Sequence, residues 1–339
     1  VSVVVPCYNY GRYLPDCVAS ALTQAGVDVD VLIVDDASPD GSAAVARRLA
    51  EADSRVRVIE NPVNLGHIAT YNTGLRAVTG EYVVLLSADD LLAPGSLARA
   101  AALLERNPDM AFVYGYPAEF TDRPPAAKTA VRSWTTWQGD EWLERICRRG
   151  SNLIFCPEVV MRGSIMRDLA GYEPDLPHSA DLYVWMRAAA RGAVGRVNGC
   201  DQAFYRVHGG NMHLNEYAGV FTDLTERART FERFFAEDGN RLPNSRRLHD
   251  RARRSLAREA VNLARQSVGR GDPDLPAKLA AFAECTFPAV RASMLWRAYE
   301  RQAERNDDGR PFTMAQRLRS VSDDLSARIR WRLWRRYGT

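Results

Sequence analysis

The chain has 339 residues, with 45 Lys and Arg against 42 Asp and Glu and a formal net charge of +3. Hydrophobic residues make up 46% and charged residues 26%, a globular composition at a length that suggests two domains. No apolar run reaches the ~18 residues needed to cross a bilayer, which excludes an integral helical membrane protein. The near-balanced charge argues against a nucleic-acid partner.

Lys128 and Lys278 are the only lysines, leaving 43 arginines, so a single Arg carries little functional weight here. Neither lysine follows a Gly as a phosphate-binding P-loop requires, and no G-x-G-x-x-G occurs. The cysteines Cys7, Cys17, Cys147, Cys156, Cys200 and Cys285 form no C-x-x-C pair, which reads as reduced thiols in a cytoplasmic protein.

Val1–Val5 is a continuous apolar run, the pattern of a strand buried on both faces. Helical spacing follows over Tyr13–Gln24, then a strand over Val29–Val34 and a helix over Ser42–Ala52. A strand at Arg55–Glu60, a helix at Ile68–Val78 and a buried strand at Tyr82–Leu86 come next. Pro94 opens a helix to Arg106, and Ala111–Tyr116 is a further strand. Repeated units of this kind imply an α/β fold with a mostly parallel sheet and helices on both faces. Residues 117–150 read as a loop entering a helix near Asp140–Arg149, and Asn152–Met166 as β-like. Asp181–Arg191 is helical and Gln202–Arg206 a short strand. From about residue 215 the pattern is helical throughout, over Glu216–Glu237, Arg246–Gly269, Leu275–Cys285, Phe287–Glu304 and Thr313–Tyr337.

In open α/β sheets, ligands bind beyond the carboxyl ends of the strands. Those ends carry Pro6-Cys7-Tyr8-Asn9, Asp35-Asp36 and Ser87-Ala88-Asp89-Asp90. Acidic pairs at two strand ends repel unless a cation or a donor-rich ligand lies between them. The plain alternative is that Asp36 and Asp89 cap turns.

Four segments in order resemble family 2 glycosyltransferases of the GT-A fold. They are V-S-V-V-V-P-C-Y-N (1–9), V-L-I-V-D-D-A-S-P-D-G-S (31–42), N-L-G-H-I-A-T-Y-N-T-G-L (64–75) and G-E-Y-V-V-L-L-S-A-D-D (80–90). The resemblance covers about residues 1–210. It implies a GT-A catalytic domain over 1–214 and leaves 215–339 as a helical C-terminal domain. It further implies inverting transfer from a nucleotide-diphospho-sugar, a UDP-sugar by preference, to a glycan, lipid-linked, peptide or natural-product acceptor. On this reading Asp36 takes the uracil N–H, while Pro6, Tyr8, Asn9 and Asp35 underlie base and ribose. Asn64, Gly66 and Asn72 belong to the same nucleotide-sugar site. Asp90 and Asp89 serve Mn²⁺ or Mg²⁺, one on the metal and the other on the ribose or metal, and His208 completes the metal shell or bonds a phosphate oxygen; such cations favour oxygen ligands and neutralise a leaving diphosphate. Arg206, in Y-R-V-H-G-G-N (205–211), offsets phosphate charge.

Inversion needs one general base. The family places it ahead of a W-x-R helix, and aligning Trp185-Met186-Arg187 puts Asp181 there, although the same residue also fits a helix N-cap. Glu158 and His178 are acceptor-side candidates. The sequence departs from the family at Ser87 (often Asp), Tyr71 (often Arg) and Ala180 (usually Glu). Ser87 and Ala180 favour a non-catalytic sugar-nucleotide scaffold, whereas Asp90 and Asp181 speak against one. A sugar-nucleotidyltransferase would need a Gly-rich phosphate loop that Cys7–Leu14 lacks.

Trp134, Trp137 and Trp142 fit either core or sugar-stacking positions. Residues 327–339 hold five arginines and no acid, behind a stripe of Leu318, Val321, Leu325, Ile329 and Leu333. The segment 316–339 therefore either packs on the helical domain or lies on a membrane surface, with Trp331 and Trp334 as interfacial anchors.

Overall fold

The computed structural model describes residues 1–211, 219–270, 272–307, 325, 329 and 331–335. Strands β1 (Ser2–Cys7), β2 (Asp30–Asp35) and β4 (Tyr82–Leu85) are buried almost throughout. Such strands satisfy their backbone by pairing on both edges, and helical crossovers make the pairing parallel. β1 runs parallel to β2 on one side and to β4 on the other, and β3 (Val56–Glu60) lies parallel outside β2. The crossovers are α1 (Leu14–Leu22), α2 (Ser42–Ala52) and α3 (His67–Arg76). Gly74 lets α3 lie directly on the sheet, since a Cβ there would come 2.3 Å from Val4 Cγ1. That close approach fixes where His67, Tyr71 and Asn72 sit relative to the strand ends.

Beyond β4 the sheet changes direction. β9 (Val160–Arg162) is antiparallel to both β4 and β6 (Met110–Tyr114). β10 (Ala193–Asn198) is parallel to β6, and β8 (Ser133–Trp137) closes the edge antiparallel to β10. A second sheet joins β5 (Leu91–Leu92), β11 (Ala203–Arg206) and β7 (Pro117–Phe120). Helices α4 (Ser96–Arg106), α5 (Gly139–Arg149), α6 (Gly163–Leu169) and α7 (Ala180–Ala189) complete this half of the chain.

The expected loop over 117–150 contains β7 and β8, and β10 had no counterpart among the expected strands. In β8 only Trp137 is buried, so periodicity alone gives no strand; pairing with β10 makes it one. The β-like stretch 152–166 yields only β9, preceded by a 3₁₀ turn at Cys156–Glu158 and followed by α6. Trp134 and Trp137 thus lie on a strand, not a helix, with Trp134 exposed and Trp137 stacked on Tyr114. Trp142 is core, edge-on to Phe112.

The chain divides into two compact units: Val1–Trp142 with Leu153–Asn215, and Leu143–Asn152 with Glu216–Thr339. The excursion of 143–152 into the second unit is not announced by any composition change. That unit contains α8 (Val220–Glu237), α9 (Ser245–Arg270), α10 (Leu275–Thr286) and α11 (Met294–Asp307). The helix expected from Phe287 is interrupted by a 3₁₀ turn at Pro288–Ala292 before α11 begins. Within the unit, buried Arg227 is held by Asp223, by Glu259 and by the Gly150 carbonyl. Most of the expected 313–337 helix lies outside the described residues. In its described part, Leu325, Ile329, Trp331 and Leu333 are exposed, while Trp334 is 4% exposed with the Arg149 guanidinium 3.7 Å over its ring. Trp334 is therefore a packing residue and not an interfacial anchor, whereas the described stripe residues Leu325, Ile329 and Leu333 do not pack.

Candidate functional site

Because β1 pairs with both β2 and β4, the carboxyl ends of all three strands lie side by side. Asn9 (φ +61°) and Ala37 (φ +56°) adopt left-handed backbone at the first two ends, a conformation that strains residues other than Gly. The turns are cross-tied: the Asn9 amide donates to Ser38 Oγ at 3.0 Å, and the Asp36 amide to the Cys7 carbonyl at 2.9 Å. Pro6 is half-buried and Tyr8 exposed on this surface.

The two aspartates here differ. Asp36 Oδ1 accepts from Asn61 Nδ2 (2.8 Å) and the Leu65 amide (2.9 Å), and its Oδ2 accepts from the Gly66 amide (2.9 Å). Asn64 Oδ1 also accepts from Gly66, whose φ is +81°. Asp36, Asn64 and Gly66 therefore form a brace that shapes the turn into α3. The uracil role expected of Asp36 meets a carboxylate already committed to three donors. Asp35 Oδ2 accepts from the Ser38 amide at 3.0 Å. Its Oδ1, like Asn9 Oδ1, is buried and finds no hydrogen-bond partner among the described residues.

The β4 end repeats this contrast. Asp89 Oδ2 lies 2.9 Å from His208 Nε2, and the Gly210 amide donates to His208 Nδ1 at 3.0 Å. A ring nitrogen that accepts an N–H bears no proton, so the imidazole proton is on Nε2 and is donated to Asp89. Both ring nitrogens of His208 are thus engaged, Nε2 with Asp89 of the same expected metal site and Nδ1 with the Gly210 amide. Asp90 is 1% exposed; its Oδ1 accepts from the Arg206 amide at 2.9 Å, and its Oδ2 is buried with no partner among the described residues. Burial, then the neighbouring Asp89, pushes the Asp90 carboxyl well above the usual carboxylate range, against the opposing Arg206. Tyr10, edge-on to His208, is pushed up to about 12 by burial and by Asp89.

Arg206 is not a free phosphate-binding cation. Its guanidinium donates to the carbonyls of Asp89, Thr121 and Asp122, and it lies 4.5 Å from the Tyr13 ring centroid and 4.4 Å from that of Phe120. It is a buried strut tying β11 to the β4 end.

Asp181 lies inside the first turn of α7, two residues after the N-cap Ser179, so it does not cap the helix. Its Oδ1 accepts from the Cys156 thiol at 3.0 Å. The Tyr172 hydroxyl lies 3.4 Å from the same sulfur. Burial raises the Asp181 pKa, while Cys156, Tyr172 and the charge of His67 oppose the rise. Tyr71 is edge-on to both His67 and Tyr172. Cys156, Tyr172 and His67 were not singled out from the sequence. Cys156 and Tyr172 sit in irregular segments without a motif, and no spacing signal would have found them.

Asn72 is spent on structure, donating to the Tyr172 carbonyl (2.8 Å) and accepting from the Tyr172 amide (2.7 Å). Glu158 is 2% exposed and accepts from the Phe155 amide at 2.7 Å, closing its own 3₁₀ turn, so its expected acceptor contact gives way to a local cap. His178 lies half-buried in the turn ahead of α7. Among the described residues, no three His, Cys, Asp or Glu side chains gather as a metal-binding group.

Residues 2–162 match the family described as glycosyl transferase family 2. An uncharacterized glycosyltransferase of Haemophilus influenzae is 23% identical over 242 residues, covering 69% of this chain and 72% of that protein. The uncharacterized glycosyltransferase EpsJ of Bacillus subtilis is 34% identical over 107 residues, covering 32% of this chain and 31% of EpsJ. Among solved structures, S. aureus TarS in complex with UDP-GlcNAc superposes with a TM-score of 0.53 at 16% identity, covering 86% of this chain and 91% of that one. The mannosyltransferase PcManGT of Pyrobaculum calidifontis, in complex with GDP-Man and Mn²⁺, gives 0.55 at 19% identity over 100% of this chain and 87% of that one. At these identities the structural likeness establishes the fold.

Proposed function

We propose that this chain, which belongs to glycosyl transferase family 2 and has the GT-A fold, is an inverting, metal-assisted transferase that uses a UDP-sugar and Asp181 as general base. One observation carries the reading. Phe155 stacks on Tyr205 at 4.4 Å, and the residues that follow each of them, Cys156 and Arg206, bond Asp181 and Asp90, so the base and the β4 acidic pair lie on adjoining segments.

The raised pKa of Asp181 makes its carboxylate a better proton acceptor than an exposed one, which suits removal of an acceptor hydroxyl proton. Asp90, with its buried unpartnered Oδ2, is the residue suited to a divalent cation, and Asp89 lies next to it. Mn²⁺ or Mg²⁺ bound there would supply charge neutralisation for the departing diphosphate. Asn9 and Asp35, each with a buried oxygen lacking a partner among the described residues, take over the base-recognition role expected of Asp36, with Pro6 and Tyr8 beside them. Asn64, Gly66, Asn72 and Arg206 serve this site by holding its walls. Among the described residues no helix is long and apolar enough to cross a membrane. All six cysteines are free thiols, which suits a reducing compartment.

The test is a thermal-shift screen of nucleotide sugars with and without Mn²⁺, followed by donor hydrolysis by the stabilising ones. UDP-sugars should raise Tm, because a ligand bound to the native state stabilises it. Asp181→Asn should lower kcat by about 10²–10⁴-fold with donor affinity kept. Full turnover by Asp181→Asn would end the base assignment, and stabilisation by GDP-sugars alone would end the uridine assignment.

A further inference from the structure

We infer that Cys156 and Tyr172 form a positioning pair that holds the Asp181 carboxylate in its proton-accepting orientation. The inference deepens the proposed function and rests on Asp181 being the base. Cysteine usually behaves as a small apolar residue whose S–H is a weak donor. Here the thiol donates to Asp181 Oδ1 at 3.0 Å, and the Tyr172 hydroxyl backs it from 3.4 Å away on the same sulfur. Burial, followed by the adjacent Asp181, pushes the Cys156 thiol well up, so it stays protonated and keeps donating at neutral pH.

The pair is itself held from a distance. Asn72, on α3, clamps the Tyr172 backbone at both its amide and its carbonyl. The preceding Gly171 has φ +93°, and a Cβ there would fall 2.3 Å from Asn72 Oδ1, so Gly is required for the clamp to close. α3 is anchored again where His67 Nε2 meets the Pro177 carbonyl at 3.2 Å, in the turn leading to α7. The chain of contacts therefore runs from α3 through Tyr172 and Cys156 to Asp181. The titratable groups facing Asp181 are Cys156 on the 3₁₀ turn, Tyr172 after α6, His67 and Tyr71 on α3, and Tyr205 on β11.

A donor aimed at a carboxylate, held in place by a neighbouring hydroxyl, stabilises its charged form. Removing either raises the Asp181 pKa, so the acid limb of the kcat profile, where the base must be unprotonated, moves to higher pH. Two experiments test the pair. The first needs no substrate: iodoacetamide alkylation of Cys156, read by mass spectrometry of its peptide in a Cys285→Ser background. Asp181→Asn should speed Cys156 alkylation about tenfold at fixed pH, the effect of one pKa unit. An unchanged rate overturns the contact. The second is the kcat–pH profile of donor turnover. Cys156→Ala and Tyr172→Phe should move the acid limb upward and lower kcat with donor KM kept, while Cys156→Ser, which restores a donor, should return the limb to its original position. Profiles that coincide with the parent beside an inactive Asp181→Asn overturn the positioning pair alone. Full activity of Asp181→Asn overturns the base assignment instead.

Discussion

The two acidic dipeptides, Asp35-Asp36 and Asp89-Asp90, are written alike and sit at neighbouring strand ends, yet each divides its labour differently. In each pair one carboxylate is committed to the chain. Asp36 accepts three donors from the turn into α3, and Asp89 accepts the His208 proton. In each pair the other carboxylate keeps a buried oxygen without a partner among the described residues: Asp35 Oδ1 and Asp90 Oδ2. The committed member comes second in the first pair and first in the second. Which residue braces the turn and which keeps an open oxygen is set by the way the chain turns after the strand, and composition carries no trace of that.

Asp90 is where this contrast should break most sharply. Asp90→Asn keeps an oxygen for the Arg206 amide but removes the buried charge. Catalysis should fall by about 10²-fold or more, since stabilising a leaving diphosphate through a cation is worth several kcal/mol. Stability in the absence of metal should hold or rise, because burial already disfavours the ionised carboxylate and an amide carries no such cost. Tm with UDP should no longer respond to Mn²⁺. If Asp90→Asn turns over donor normally and Asp89→Asn does not, the roles within the β4 pair are exchanged.

Asp36 should show the reverse pattern. Asp36→Ala strands the Leu65 amide and leaves Asn61 Nδ2 and the Gly66 amide with only Thr70 Oγ1 and Asn64 Oδ1, and each hydrogen bond to a charged acceptor is worth about 2 kcal/mol. Urea unfolding should register a loss of at least about 2 kcal/mol, with proteolysis first within 61–66. A variant as stable as the parent but unable to bind donor would return Asp36 to the base-recognition role.

Much of the fold was legible because its first half obeys local rules. The helix over Ser42–Ala52 and the continuous apolar strands at Val1 and Tyr82 stand where periodicity puts them. The second half depends on distant pairing: β8 and β10 stabilise one another across more than fifty residues, and neither carries a strong pattern alone. The site divides in the same way. Asp35, Asp90 and Asp181 stand out from their motifs, and their roles belong to the proposal. Arg206, Asn72 and Glu158 stand out equally in sequence, and only the fold reveals that each also bonds the chain's own backbone. Cys156 and Tyr172 escape notice for the opposite reason, since what matters about them is a contact made across the fold.

Asp35 supplies the smallest and most discriminating effect. Its Oδ2 holds the Ser38 amide, and Asp35→Asn keeps an acceptor for that bond. The fold should therefore stay within about 0.5 kcal/mol of the parent, the range of substitutions that break no buried contact. What changes is the free oxygen: an amide that presents its NH₂ in place of Oδ1 meets a base N–H donor-to-donor. Losing one charged hydrogen bond of about 1.5 kcal/mol predicts a donor Kd raised about tenfold, with kcat nearly unchanged, measured by calorimetric titration of UDP. A raised Kd in Asp35→Asn together with an unperturbed Kd in a folded Asp36→Asn places base recognition on the first residue of the pair. Equal losses in both would mean that the turn braced by Asp36 contacts the base directly, and that brace and binding surface are the same structure.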